Sequence, residues 1–298
     1  MPDTLCSRSD FRGARQAIAA LLLCAACACR GTAPDTTLER LVESRRLTSD
    51  LLVQLTKSAD AGNRAVMAQT EEASAAFVGE AEQAAAAIQR DTEALRPALQ
   101  SLGYRDEARL LDEFGNRFTE YRAVDRTLLD LTAENSNLKA QRLSFGAASQ
   151  AAEAFRDALA GLSGGDAAPQ VEAAAAHAIG AVREIQVLQA PHIAEADDAA
   201  MTVMEKRMAA SEATARGALR SLAPLVSPPA APRLPQAAAA LDRFTMLNAE
   251  IVSLSRRNTN VRSLALSLGQ RRMLTAGCEE SLQALQGALA KRSLGGTR

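Results

Sequence analysis

Two stretches, ENSNLKAQRLSFG (residues 134–146) and RNTNVRSLALSLG (residues 257–269), decide how the rest of the chain is read. Each sets an Asn-x-Asn in a sequence whose apolar residues otherwise recur at helical spacing. Around the first, Tyr121, Val124, Leu128, Leu131, Asn135, Leu138, Arg142 and Phe145 follow one another in steps of three and four. Around the second, Phe244, Leu247, Ile251, Leu254, Asn258, Val261, Ala265 and Leu268 do the same. A sustained three-four alternation is the pattern of helices packed side by side, and the asparagines occupy the same step in both series. The tripeptide RFT, at Arg117–Thr119 and again at Arg243–Thr245, adds to the likeness at a slightly different offset. The two stretches therefore predict a duplicated long helical hairpin.

The composition agrees. Hydrophobic residues are 47% of the chain, but alanine supplies much of that share, and aromatics are only 3%. Small side chains suit closely packed helices, whereas a β-sandwich or an α/β enzyme would need runs rich in Val, Ile, Tyr and Phe. Helix-stopping signals are sparse: Gly103, the stretch LSGGDAAPQ at 162–170, and VSPPAAPRLP at 226–235. The predicted fold is all-α, an elongated antiparallel up-down four-helix bundle. Hairpin 1 covers 36–161, a linker 162–169, and hairpin 2 170–293. Each rod would hold about 55 to 65 residues and extend on the order of 80 to 95 Å. Pro191 is expected to kink or break the third rod, and residues 60–63 (DAGN) to loosen the first. With the chain ends at the base, the turns at Gly103 and 226–235 would lie farthest from it, and 162–170 close to it.

Residues 1–26 read as a signal rather than as part of the fold. Arg8, Arg12 and Arg15 precede a short apolar run, AIAALLLCAA at 17–26, too short for a stable membrane span. With CAACAC it resembles a bacterial lipoprotein signal, which implies lipidation at Cys27, after Ala25 and Ala26, and a tether over 27–35. The departure is Cys24, where the pattern usually has Leu. An ordinary secretory signal or an uncleaved anchor remains open. Every one of these readings places the rest of the chain outside the cytoplasm, and several acyl chains would anchor it stably. Cys278 is expected to be a partly buried free thiol. A pairing with Cys29 in an oxidising compartment stays open.

The candidate ligand-binding residues are Asn135, Asn258, Arg142 and Asn63. Counted from the base, Asn135, Asn137, Asn258, Asn260, Asp60, Asn63, Asp197 and Asp198 fall within a helical turn or two of one height. They form a polar belt. A seam asparagine usually costs stability and sets helix register. A belt of amides can also hold a small polar solute, and Arg142 could meet its carboxylate. His192, with Glu195 one turn on, is expected at the surface or in a cap rather than on a metal. Met201, Met204 and Met208 are expected as core. The net charge of −1 and the lack of a basic patch with aromatics argue against nucleic acid. Two histidines and no phosphate loop argue against an enzyme or a bound cofactor.

The aromatic-bearing helix, the ENSN stretch and the LKAQRL helix after it resemble the periplasmic sensor regions of bacterial chemotaxis receptors. The likeness is to the four-helix-bundle type, including its long-helix version with two stacked bundles, over about 36–289. The resemblance implies a small carboxylate or amino acid as ligand and side-by-side homodimers, and no ligand residue is carried over. The sequence ends in LGGTR without a second membrane helix or signalling hairpin, a departure that makes a partner necessary for any signal. The expected function is a lipid-anchored periplasmic helical module, sensor-like or protein-binding, with an envelope protein or its own copy as partner. The alternative is a structural envelope spacer or assembly lipoprotein without a ligand.

Overall fold

The computed structural model describes residues 37–162 and 168–292, and these are helical, with no strand among them. Helices α1 (Thr37–Met67) and α2 (Glu71–Ser101) form a short hairpin. A long rod follows: α3 (Arg105–Glu134), α4 (Ser136–Leu143), a π-helical turn (Ser144–Ala148) and α5 (Ser149–Ala160). The pattern then repeats. Helices α6 (Ala168–Ala194) and α7 (Asp198–Leu222) make a second short hairpin. A second long rod comprises α8 (Arg233–Arg257), α9 (Thr259–Leu266), a π-helical turn (Ser267–Arg271) and α10 (Arg272–Lys291).

The all-helical class therefore holds, but the single stack of four uninterrupted rods does not. The first and third rods fold back on themselves, giving six helical rods instead of four. Capping chemistry drives both reversals. Thr70 has extended backbone and its hydroxyl accepts from Ala73 N at the start of α2, with Glu71 and Glu72 in the first turn. Asp197 accepts from Ala199 N and Ala200 N at the start of α7. Each cap satisfies amides that a new helix leaves unpaired, and the acidic first turn suits the positive end of the helix dipole. Of the two expected weak points, only the one at Pro191 lies close to a break, at 195–197. Helix α1 runs unbroken through residues 60–63, and α6 continues past Pro191 to Ala194.

Packing divides the helices into two bundles, and the long rods pass from one to the other. The first bundle holds α1, α2, α3 and the α9–α10 half of the second rod, around Leu51, Leu55, Ile88, Phe114, Tyr121 and Leu282. The second holds α6, α7, α8 and the α4–α5 half of the first rod, around Phe155, Val182, Ile185, Leu241 and Phe244. Neither predicted hairpin, 36–161 or 170–293, is thus a self-contained unit, because each lends half its long rod to the other's core. Full burial of an aliphatic or aromatic side chain contributes about 1.5 to 3 kcal/mol, so both cores depend on this exchange.

The polarity of the molecule also differs from the expectation. Arg45 donates to the Leu289 carbonyl at 2.9 Å, and Arg292 to Glu107 at 2.6 Å. These contacts gather the start of α1, the start of α3 and the end of α10 at one end. Gly103, in the left-handed turn between α2 and α3 (φ 71°), therefore sits at the end where the described chain begins. At the opposite end the Arg233 side chain lies against Gly161, which places the flanks of residues 163–167 there. The reversed placement follows from the two extra turns at 68–70 and 195–197.

Candidate functional site

The middle of the molecule, where the rods cross between bundles, is built on the asparagines. Asn135 (φ 52°, ψ 43°) and Asn258 (φ 55°, ψ 36°) are the two non-glycine residues with positive φ among those described. Asn tolerates this region better than other non-glycine residues because its short side chain can bond locally. One left-handed residue ends a helix and redirects the chain, and the next helix starts at once. That start leaves amides without partners, and the opposite rod supplies them. Ser136 N donates to Thr259 Oγ1 (2.9 Å) and Thr259 N to Ser136 Oγ (3.2 Å). Asn137 N donates to Asn260 Oδ1 and Asn260 N to Asn137 Oδ1, both at 3.1 Å. Each of these bonds joins residues 123 positions apart, so the capping is reciprocal and the crossing has local twofold symmetry. Two amide–amide bonds complete it: Asn137 Nδ2 to Asn258 Oδ1 (2.9 Å) and Asn260 Nδ2 to Asn135 Oδ1 (2.6 Å).

The α6–α7 hairpin is tied into this crossing. The last carbonyls of α6 cannot be satisfied within the helix, and three donors reach that end from the long rods. Asn137 Nδ2 reaches Ile193 O at 2.5 Å, Asn258 Nδ2 reaches Glu195 O at 2.6 Å, and Ser255 Oγ reaches His192 O at 2.7 Å. No buried side-chain nitrogen or oxygen among the described residues lacks a partner. Of the residues expected in the belt, Asn135, Asn137, Asn258 and Asn260 meet at the crossing, and their amides are engaged with protein.

A charged cluster lies on the first-bundle side. Arg271 is 2% exposed, and all five of its N–H groups are used. Nε donates to Asp125 Oδ1 (2.8 Å), Nη1 to Ala59 O and Asn63 Oδ1, and Nη2 to Ser58 O and the Tyr121 hydroxyl. Asp125 also takes Arg122 at 2.9 Å. Burial, reinforced by the Asp125 charge, pushes the Tyr121 phenol up to about 12. Room for the guanidinium comes from Gly62, where a Cβ would fall 2.3 Å from Arg271 Nη2. Farther toward the chain ends, burial also raises the Cys278 thiol to about 12. It is a buried free cysteine, more deeply enclosed than expected.

On the second-bundle side, Ser144 donates to Gln189 Oε1 (2.7 Å) and Gln189 Nε2 to Asn248 Oδ1 (2.9 Å). Next to them His192, expected at the surface, is fully buried. Its Nδ1 meets Ser255 Oγ at 2.8 Å and its Nε2 meets Glu205 Oε1 at 2.9 Å. Arg256 grips the same carboxylate with Nε (2.6 Å) and Nη2 (2.9 Å). That bidentate contact first, and the histidine second, hold the Glu205 carboxyl below its ordinary value against the opposing effect of burial. The Ser–His–Glu order is that of a nucleophile relay. Ser255, however, is wholly buried on a helix and commits its proton to a carbonyl, so it is not placed to attack a substrate.

Of the predicted residues, the structure joins Asn135 and Asn258 through Asn137 and Asn260. Arg142 is not among them: it is exposed, pairs with Glu71 at 2.7 Å, and so fastens α4 to the start of α2. Asn63 is exposed beside the crossing, where its Oδ1 accepts from Ser267 (2.7 Å) and Arg271 (3.0 Å). It lines a groove of about 430 Å³ with Val66, Met67, Leu264, Leu268 and Arg272. Cys27 lies outside the described residues. Met201 and Met208 are core, as expected, and His192 pairs with Glu205 rather than Glu195. Sequence reading missed Arg271, Asp125, His192 and Arg256. The seam itself carried a signal for the first, since three steps beyond Leu268 it arrives at Arg271. No three or more His, Cys, Asp or Glu side chains among the described residues gather in a way that would hold a metal ion, and no described helix is long and apolar enough to cross a membrane.

No protein-family model matches the chain, and neither the curated proteins nor the solved structures yield a match.

Proposed function

We propose that the chain is a membrane-tethered, periplasmic helical lipoprotein that works as a protein-interaction module of sensor-like build. In this reading each half of the molecule is an antiparallel up-down four-helix bundle. The lipid on Cys27 holds the first bundle near a bacterial membrane and the second bundle meets an envelope partner. The observation that supports it is the reciprocal crossing. Two long rods, each broken by a left-handed asparagine and re-capped by the other, couple the bundles so that one cannot turn without stressing the other. Such a coupled pair suits a protein that carries a position or a signal along its length. The test is crosslinking of the full chain in cells, with photo-reactive residues at exposed second-bundle positions such as Val203 and Met246. A specific envelope partner captured there, and not from exposed first-bundle positions such as Val53, supports the reading. Uniform labelling from both bundles counts against it.

A small polar ligand is the second reading, favoured by the groove at Asn63. The mid-height amides are engaged with protein, so a carboxylate or amino acid would sit in that groove, against Arg272 and the Asn63 amide nitrogen. A thermal-shift screen with carboxylates and amino acids decides it. A ligand at a hundred times its dissociation constant adds about 2.7 kcal/mol to stability. A shift that Arg272→Ala abolishes makes the module a sensor, and no shift leaves the spacer.

A further inference from the structure

The geometry points to a proton-held clasp at the crossing: His192, bound as an imidazolium, fastens the α6–α7 turn to α7 and α8, and loss of one ring proton releases it. The argument is a count of hydrogens. Ser255 has one hydroxyl proton and gives it to His192 O at 2.7 Å. The 2.8 Å contact between Ser255 Oγ and Nδ1 must then take its proton from the ring. On the other side the Glu205 carboxylate, ionised in the grip of Arg256, can only accept, so the 2.9 Å contact to Nε2 takes a second ring proton. A neutral ring leaves one of these contacts without a hydrogen, or turns Ser255 away from the buried end of α6. The surroundings balance the charge. Glu205 and Asp198 come from α7, Arg256 from α8, and Arg256 also binds Asp198 Oδ1 at 3.0 Å. The Glu195 carboxylate is turned onto the Ala196 and Asp197 amides, and from α4 the neutral Asn137 caps Ile193 O.

The clasp matters because the same α6 end carries the asparagine caps. Freeing His192 O from Ser255 loosens the turn that Asn137 and Asn258 hold at Ile193 O and Glu195 O. The proton state of one ring is thereby linked to the fit between the bundles.

The experiment uses the full chain with ¹⁵N-labelled histidine. The chain has two histidines, and His177→Gln, an exposed position, leaves the His192 ring alone in the spectrum. At low pH both ring nitrogens should carry protons. As the pH rises, loss of one proton should coincide with a drop in amide-exchange protection at residues 196–200 and 259–262. After correction for base catalysis the drop should be roughly five- to tenfold, the effect of about one hydrogen bond. Glu205→Gln, which keeps the shape and removes the charge, should move that step to lower pH. A ring with one N–H throughout overturns the proposal. Proton loss without a change in protection does so too, as does a step that Glu205→Gln leaves in place.

Discussion

The two bundles each pass a polar side chain through the core beside the crossing, but they draw it from opposite partners. In the first bundle the long rod supplies Arg271 and the short helix yields with Gly62. With the hairpins aligned on their caps Thr70 and Asp197, Gly62 falls opposite Gln189. In the second bundle it is therefore the short helix that supplies the arm, and the long rod that yields, with Ala148 opposite Arg271. The acceptors follow suit. Asp125 takes Arg271 in the first bundle, and its counterpart Asn248 takes Gln189 in the second. Tyr121, which lends its hydroxyl to the charged cluster, is matched by Phe244. At these matched positions one architecture thus carries a charged arm in the first bundle and a neutral one in the second. A buried ion pair adds little net stability over an apolar pair, yet stranding one of its members is expensive. The difference therefore acts as a discriminator. If the α6–α7 hairpin took the place of α1–α2, Arg271 would keep Asp125 but lose the space at Gly62 and its acceptors Ser58 O, Ala59 O and Asn63 Oδ1.

The sharpest way to break this comparison is to remove the charged acceptor. Asp125→Leu strands Arg271 and should cost about 3 to 5 kcal/mol in urea unfolding. Asn248→Leu leaves only a neutral amide short of a partner and should cost about 1 to 3 kcal/mol. Equal losses would mean that the two networks are energetically alike.

The space made for the arm is next. Gly62→Ala drives a methyl into a guanidinium fixed by five bonds, an overpacking cost of about 1 to 3 kcal/mol. Gly180→Ala, in a helix of the second bundle with nothing within 4 Å of its added carbon, should gain up to about 1 kcal/mol from helix propensity. Opposite signs in a thermal melt are the expected outcome.

Within the crossing the two asparagines should differ modestly. Either change to alanine keeps the Cβ in left-handed backbone but removes the short polar side chain that offsets its strain, at about 1 to 2 kcal/mol. Asn258→Ala in addition frees the Glu195 carbonyl, about 1 kcal/mol more. Hydrogen exchange at the 195–197 turn should therefore report Asn258→Ala more strongly than Asn135→Ala.

The smallest effect is on acid stability. Glu205 and Glu107 are held below the ordinary carboxylate range, chiefly by Arg256 and Arg292. A depressed folded-state value means stability that is present above the ordinary carboxylate pKa and lost as pH falls through the folded one. Both arginines are partly exposed, so the contribution is modest. Glu205→Gln should flatten the acid side of the pH–stability curve through the second bundle, and Glu107→Gln through the first, as read by local exchange.

Much of the architecture lay in the sequence because local rules govern it. The three-four seams, the scarcity of strand formers and the matching asparagines determined an all-helical chain with a repeat centred on residues 135 and 258. Even the missed hairpins had local marks, in Thr70 with Glu71 and Glu72 and in the Asp197–Asp198 pair, which seam-counting passed over. What only the tertiary structure decided was partnership. Periodicity says which face of a helix is buried but not against which helix, because any apolar stripe of the right spacing serves. The exchange of half-rods, the caps donated across the crossing and the burial of Arg271 and His192 all depend on groups far apart in sequence. Their cost when unpaired, rather than any local preference, selects the pairing.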